Sequence, residues 1–323
     1  MNPKNATDTA AFSKTAKAAA ILRKVRSLGA LAALMVPGTS YSASLKPETL
    51  KTWDAYVAAA SAQMQRRLSP DNPFLLTDDE CPRLRSGETL VFPVGPDMPR
   101  KIPSGLIHHW VGATFVPNTT LPAVLSIVRD YERYGEIYHP AVIVSSATST
   151  SEAEDRFSMV LMNKSAISKT ALEGDYRASY FRVDDQRAYS FAETVRVQEI
   201  AAYGTAGQHR LPENQGTGLI WRLFSITRFE ARDGGVYIEI EAIALSRDVP
   251  VALRLMVDPL IRRVSRESLK LSLQQTREAV QTVSDIARRE GITGQRALSV
   301  ACASDASWGA GHSFTNLPAR KSY

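Results

Sequence analysis

The stretch from Gly218 to Arg247 constrains this chain most, because it reads as two long strands turned on Asp233-Gly234. That dipeptide supplies the positive φ values of a tight hairpin turn. Side chains alternate across a strand, so pairing about the turn sets Arg228 opposite Glu239 and Phe229 opposite Ile238. One face then carries Trp221, Leu223, Ser225, Thr227, Phe229, Ile238, Ile240, Ala242 and Ala244, and the other Arg222, Arg228, Glu230, Glu239 and Glu241. The neutral face suits a pocket wall or ordinary core, since small residues among large ones serve either. Opposite charges across the hairpin are expected to form a solvated, salt-bridged face, with a buried acid-base set as the alternative.

The neighbouring segments supply partners for such a ribbon. Residues 106–116, Leu-Ile-His-His-Trp-Val-Gly-Ala-Thr-Phe-Val, form a β-branched and aromatic run closed by Pro117-Asn118. Thr120 is placed to cap a helix reaching Tyr134, with Leu121, Val124, Leu125, Val128 and Tyr131 at helical spacing. Strand-like runs follow at 141–149, 156–163, 166–172, 176–183 and 187–201. Asp258-Pro259 reads as a cap and first-turn proline for a long closing helix, whose Leu269, Leu273, Thr276, Val280, Val283 and Ala287 make one stripe. Upstream, Pro47 to Leu68 reads as a helix, and six prolines between Pro73 and Pro103 mark a linker with one short strand at 89–92.

Charge is distributed unevenly. The net +6 looks suited to nucleic acid, but residues 1–44 hold six bases (Lys4, Lys14, Lys17, Arg23, Lys24 and Arg26) against Asp8 alone. The remaining 33 bases face 32 acids, so no basic stripe is left to neutralise phosphates, and nucleic-acid binding is excluded. A basic stretch ending at Arg26, an apolar run from Leu28 to Val36 and small residues around Ser42 to Ser44 have the form of a secretory signal. A buried N-terminal helix is the plainer alternative. Nine apolar residues are too few for a membrane span, which needs about 20, and no span is expected in the mature chain. Hydrophobic residues at 44% and charged residues at 22% are a globular balance that excludes collagenous, wholly disordered and multi-span membrane chains. The resulting division is 1–44 signal, 45–104 helix and Pro-rich linker, 105–289 folded domain, and 290–323 flexible tail.

Strand, helix, a run of antiparallel strands and a long last helix is the order of the helix-grip fold. Residues 105–289 resemble the START-like or SRPBCC superfamily, through that order and through Gly-Leu-Ile-His-His-Trp-Val-Gly-Ala (105–113), Asp130-Tyr131 with Tyr138-His-Pro140, and Gly-Gly-Val-Tyr-Ile-Glu (234–239). They are also similar to uncharacterised secreted bacterial members. The resemblance implies an α+β fold in which a curved antiparallel sheet wraps the C-terminal helix around a cavity, here with an extra N-terminal helix. It implies a hydrophobic small-molecule ligand such as a lipid or quinone, no cofactor, and transient contact with a membrane surface. The candidate lining is His108, Trp110, Tyr131, Tyr134, Trp221, Leu223, Ser225, Thr227, Phe229, Ile238, Ile240 and Ala242.

Chemistry-bearing motifs are sparse. His108 and His109 are adjacent on a strand and point to opposite faces, so they cannot share a metal there, and His139 and His209 complete no zinc spacing. Tyr131, Tyr134 and Tyr138 crowd one helix end, where phenols can orient a polar head or simply pack with their hydroxyls in water. No Gly-x-Ser-x-Gly elbow is present, and Gly216-Thr-Gly218 reads as a turn. Cys81 and Cys302 have no metal spacing; they are unrelated thiols or, in an oxidising compartment, one bridge. A polyketide cyclase or dehydratase using Tyr131, His108 or Arg222 for proton transfer is the first alternative to a carrier. A module docking an envelope partner is the second. If the signal operates, N-terminal sequencing of envelope-fraction protein finds a chain beginning at residue 43, 44 or 45; an intact Met1 in the cytoplasm would contradict export to the periplasm or exterior.

Overall fold

The strand Gly105–Pro117 is apolar at both parities, and all its residues but the last are buried. A strand of this kind needs cover on both faces, and the architecture supplies it. The computed structural model describes residues 43–164, 169–248 and 251–289. Of the segment 1–44 only Ala43 and Ser44 are described, and the tail and Cys302 lie outside the described residues; Cys81 is buried with a free thiol.

In chain order the elements are β1 (Ala43–Ser44), α1 (Pro47–Arg66), α2 (Cys81–Arg85), β2 (Leu90–Pro93), β3 (Arg100–Ile102), β4 (Gly105–Pro117), α3 (Leu121–Val128) and α4 (Tyr134–Ile137). They continue with β5 (Val142–Ser149), β6 (Asp155–Lys164), β7 (Lys169–Arg182), β8 (Arg187–Ala201), β9 (His209–Arg210), β10 (Gln215–Gly216), β11 (Arg222–Arg232), β12 (Gly235–Arg247) and α5 (Val251–Arg289). The antiparallel sheet runs β2-β4-β12-β11-β8-β7-β6-β5, with β3 against β4 and β9 against β8, while β1 pairs with β10. The central hairpin has the expected register, Arg228 opposite Glu239 and Phe229 opposite Ile238. Asp233 and Gly234 turn it at φ of 56° and 77°, the left-handed region such a turn requires.

Helix α5 lies over β4 and β2. It comes so close because Gly112 has no side chain: a Cβ there would sit 2.7 Å from Leu273 Cδ1. Leu273 and Val280 are fully buried in a cluster with Val116, Val124, Phe229 and Ile238. The result is an α+β helix-grip fold, an antiparallel sheet holding a long C-terminal helix on one face and α1 on the other.

Five details differ from the sequence reading. The Pro-rich segment, expected to hold at most one short strand, carries α2 and the two strands β2 and β3, both paired with β4. The helix begun at Thr120, whose hydroxyl accepts from Ala123 N, ends at Val128; Arg129 and Tyr131 turn away to bond Asp155, and a 3-10 turn takes over. Residues 169–182 are one strand, not two with a break at Gly174. That glycine makes room for the Tyr176 ring, 2.6 Å from where its Cβ would lie. Helix α5 starts at Val251 and runs through Pro259, so Asp258-Pro259 is not its start. The largest difference is the charged face of the hairpin, which is buried.

Helix α1 presents Trp53, Val57, Ala60 and Met64 to that face, and Phe74, Leu75, Cys81 and Leu84 extend the cover. Beneath it Arg228, Glu239 and Glu241 are 1%, 0% and 3% exposed. Arg228 donates to Glu239 Oε1 at 2.9 Å and Glu241 Oε2 at 2.6 Å. Glu239 also accepts from the backbone N–H groups of Leu76 (3.0 Å) and Thr77 (2.7 Å) and from the Thr77 hydroxyl (2.7 Å). His109 Nε2 lies 2.9 Å from Glu241 Oε1, and its Nδ1 lies 2.9 Å from the Tyr56 hydroxyl of α1. The charges are therefore satisfied by the segments that exclude water from them, which is the condition for keeping ions in a low-dielectric interior.

Burial raises the pKa of Glu241, but hydrogen bonds from His109 and Arg228 and the charge of Arg228 more than offset it, and the net direction is downward. A lowered carboxylate contributes stability above its unfolded pKa, and that contribution is lost as pH falls through the folded pKa. Acid titration of unfolding below about pH 4.5 should show a steeper loss for the wild type than for Glu241→Gln. Arg228→Met should cost about 3–5 kcal/mol in denaturant unfolding, since it strands two buried carboxylates. A solvated network would lose less than about 1 kcal/mol.

Candidate functional site

The opposite face of the same hairpin is the candidate site. Strand alternation puts Leu223, Ser225 and Thr227 of β11 beside Ile240, Ala242 and Ala244 of β12 on the side facing α5. Their cross-strand neighbours are Ala192 and Ser190 on β8 and Trp110 and His108 on β4. Both ends of this floor are packed. At one end Phe229, Ile238 and Val236 close against α3 and α5; at the other side Tyr131, Phe157, Tyr176 and Ala178 form an aromatic cluster that Leu223 touches. Between them Leu223, Ser225, Thr227, Ile240, Ala242 and Ala244 are each half-buried, because α5 covers β4 and β2 while the centre of the sheet lies beyond it. This strip is neutral and mixes the apolar Leu223 and Ile240 with small side chains, a surface chemically suited to an apolar ligand.

Most sequence-selected residues gather here, with three exceptions of placement. Trp221 precedes β11, where strict alternation does not hold, and it packs into the α1-side cluster instead. Tyr131 and Tyr134 stand at the edge of the floor, but their hydroxyls face inward. Tyr131 bonds Asp155 Oδ2 at 3.0 Å and Tyr180 at 3.2 Å, while Tyr134 donates to the Val128 carbonyl. Tyr138 reaches Thr276 of α5 at 3.0 Å, so these phenols end in protein bonds, not in water. Burial raises the pKa of all three. Asp155, fully buried, also receives two bonds of 2.9 Å from Arg129, which makes it the anchor of the chain reversal between α3 and β5.

Of the proton-transfer candidates, His108 faces the α5 side and shares a 2.8 Å hydrogen bond with Ser246. Arg222 is held by the Trp221 carbonyl at 2.7 Å and Asn214 at 2.9 Å. His109 points to the other face, as adjacent strand residues must. Among the described residues, no group of three or more His, Cys, Asp or Glu is arranged to hold a metal, and no helix is long and apolar enough to cross a membrane. Sequence reasoning missed Asp155 and Gly112. Asp155 begins a strand with no motif around it, and Gly112 gains its meaning only from Leu269 and Leu273, far along the chain.

Comparison with known proteins gives a likeness of fold at low identity. Human STARD10 is similar over 69% of this chain and 87% of its own, at 7% identity and a TM-score of 0.39. A STAR-related lipid transfer protein from Xanthomonas axonopodis is similar over 58% of this chain and 96% of its own, at 14% identity and a TM-score of 0.35. The Zhui aromatase/cyclase from Streptomyces sp. R1128 is similar over 56% of this chain and 95% of its own, at 10% identity and a TM-score of 0.32. No family model matches the sequence, and no curated protein matches it.

The Tyr131 bonds predict a structural phenotype. Tyr131→Phe should lower stability by about 1.5–2 kcal/mol through the lost bonds to the buried Asp155 carboxylate and to Tyr180, and Asp155→Ala by about 3–5 kcal/mol, both read by urea unfolding. Equal effects from the two would contradict Asp155 as the anchor.

Proposed function

We propose that this protein binds a hydrophobic small molecule, a lipid or quinone-like compound, on the α5-side face of the sheet, and that it does so outside the cytoplasm after removal of a signal segment. The observation that carries the reading is the half-buried neutral floor of Ser225, Thr227, Ala242 and Ala244, set between two fully packed clusters. A sheet that buried this face as ordinary core would leave these residues fully covered. Export rests on the basic-apolar-small order of residues 1–44. Transient contact with a membrane surface is part of the same proposal, because such a cargo resides in membranes.

The carrier reading is favoured over the cyclase reading by the state of the proton-transfer candidates. The Tyr131 phenol is pushed up by burial and already bonded to Asp155 and Tyr180, and a group held far above neutral pH is poorly matched to acid-base work.

Filling the floor tests the proposal. Ala242→Trp should reduce uptake of a fluorescent fatty acid at least about tenfold, equivalent to about 1.4 kcal/mol, while stability to denaturant falls by less than about 1 kcal/mol. A loss of about 1–3 kcal/mol or more of stability with unchanged uptake is the result of overpacking a filled core, and it would overturn the assignment.

A further inference from the structure

We infer that the ligand is an anionic amphiphile whose charged head is held by Arg262 and Arg266 of α5, in the groove beside Trp110; this rests on the hydrophobic-ligand reading above. The core-facing stripe of α5 runs Leu269, Leu273, Thr276 and Val280. Continued toward the amino end at the same spacing of three and four, it reaches Arg266 and Arg262. Arginines thus take the two stripe positions that precede Leu269 and Leu273. There the helix stands off the sheet edge, leaving a half-open groove of about 350 Å³ lined by Val91, Phe92, Pro93 and Trp110 on one side and Arg262, Arg263, Arg266 and Glu267 on the other.

Charge and continuity decide the occupant. Arg262, Arg263 and Arg266 have no ion-pair or hydrogen-bond partner among the described residues, so the rim offers unspent guanidinium groups, which suit carboxylate or phosphate geometry. The apolar side offers nothing to an anion alone. Trp110 is also the direct cross-strand partner of Ala242, so the wall of the groove borders the neutral floor. An apolar tail lying on Ser225, Thr227 and Ala242 would bring its head to the arginines.

Titration of the full exported chain with oleate and with oleyl alcohol, which share a tail, separates head from tail. At low ionic strength the wild type should prefer oleate by at least tenfold, and R262Q/R266Q should remove most of that preference while its circular dichroism stays that of a folded chain. Equal affinity of the wild type for both ligands would overturn the arginine assignment and leave the hydrophobic floor standing. Binding of neither would overturn both. Preference retained by R262Q/R266Q would also defeat the assignment, as would inorganic phosphate binding as tightly as oleate, which identifies a site for a free anion. Sedimentation with phosphatidylglycerol vesicles that depends on the arginines, without uptake of free oleate, would assign them to membrane docking and likewise overturn it.

Discussion

The contact among Arg228, Glu239 and Glu241 is the one on which the rest of the structure depends. Taking three charges out of water costs several kcal/mol per ion, so the arrangement stands only while its partners are in place. Those partners come from far away in sequence. Tyr56 and Met64 belong to α1, and Leu76 and Thr77 to the segment after it. The network therefore ties the N-terminal arm to the middle of the sheet and fixes the hairpin register. A one-residue slip would turn Arg228 and both carboxylates to the other face and leave apolar residues in their place.

Sealing one face in this way leaves the α5 side for the proposed ligand. The arm fills the α1 side with Trp53, Met64, Leu75 and Leu84, and α5 grips the opposite side only along β4 and β2. What remains is the neutral strip on β11 and β12, bounded by packed aromatic and aliphatic clusters. Gly112 sets how close α5 comes, and Asp155 sets where the chain turns back across the far strands. The proposed site is thus the surface that two packing solutions leave uncovered.

The hairpin was readable because alternation and a turn dipeptide are local signals, and both register and faces followed from them. The fate of its charged face was not readable from the hairpin alone, since solvated and buried ion pairs look the same in sequence. Yet α1 carried a hint in Trp53, Val57 and Met64, an apolar stripe that had to be buried somewhere. Another lay in β4, apolar at both parities. Trp221 escaped the alternation because it stands outside the strand, and Gly174 looked like a break because the ring of Tyr176 that fills its space is a three-dimensional fact.

Where the ligand lies can be read from a crystal structure of the protein loaded with a fatty acid brominated along its chain, with the bromine located by anomalous scattering. Bromine within van der Waals distance of Ser225, Thr227 and Ala242, on the α5 side of the sheet, is the expected result. Bromine lodged among α1, Met64 and Ile226, or only on the outer surface of α5, would contradict it.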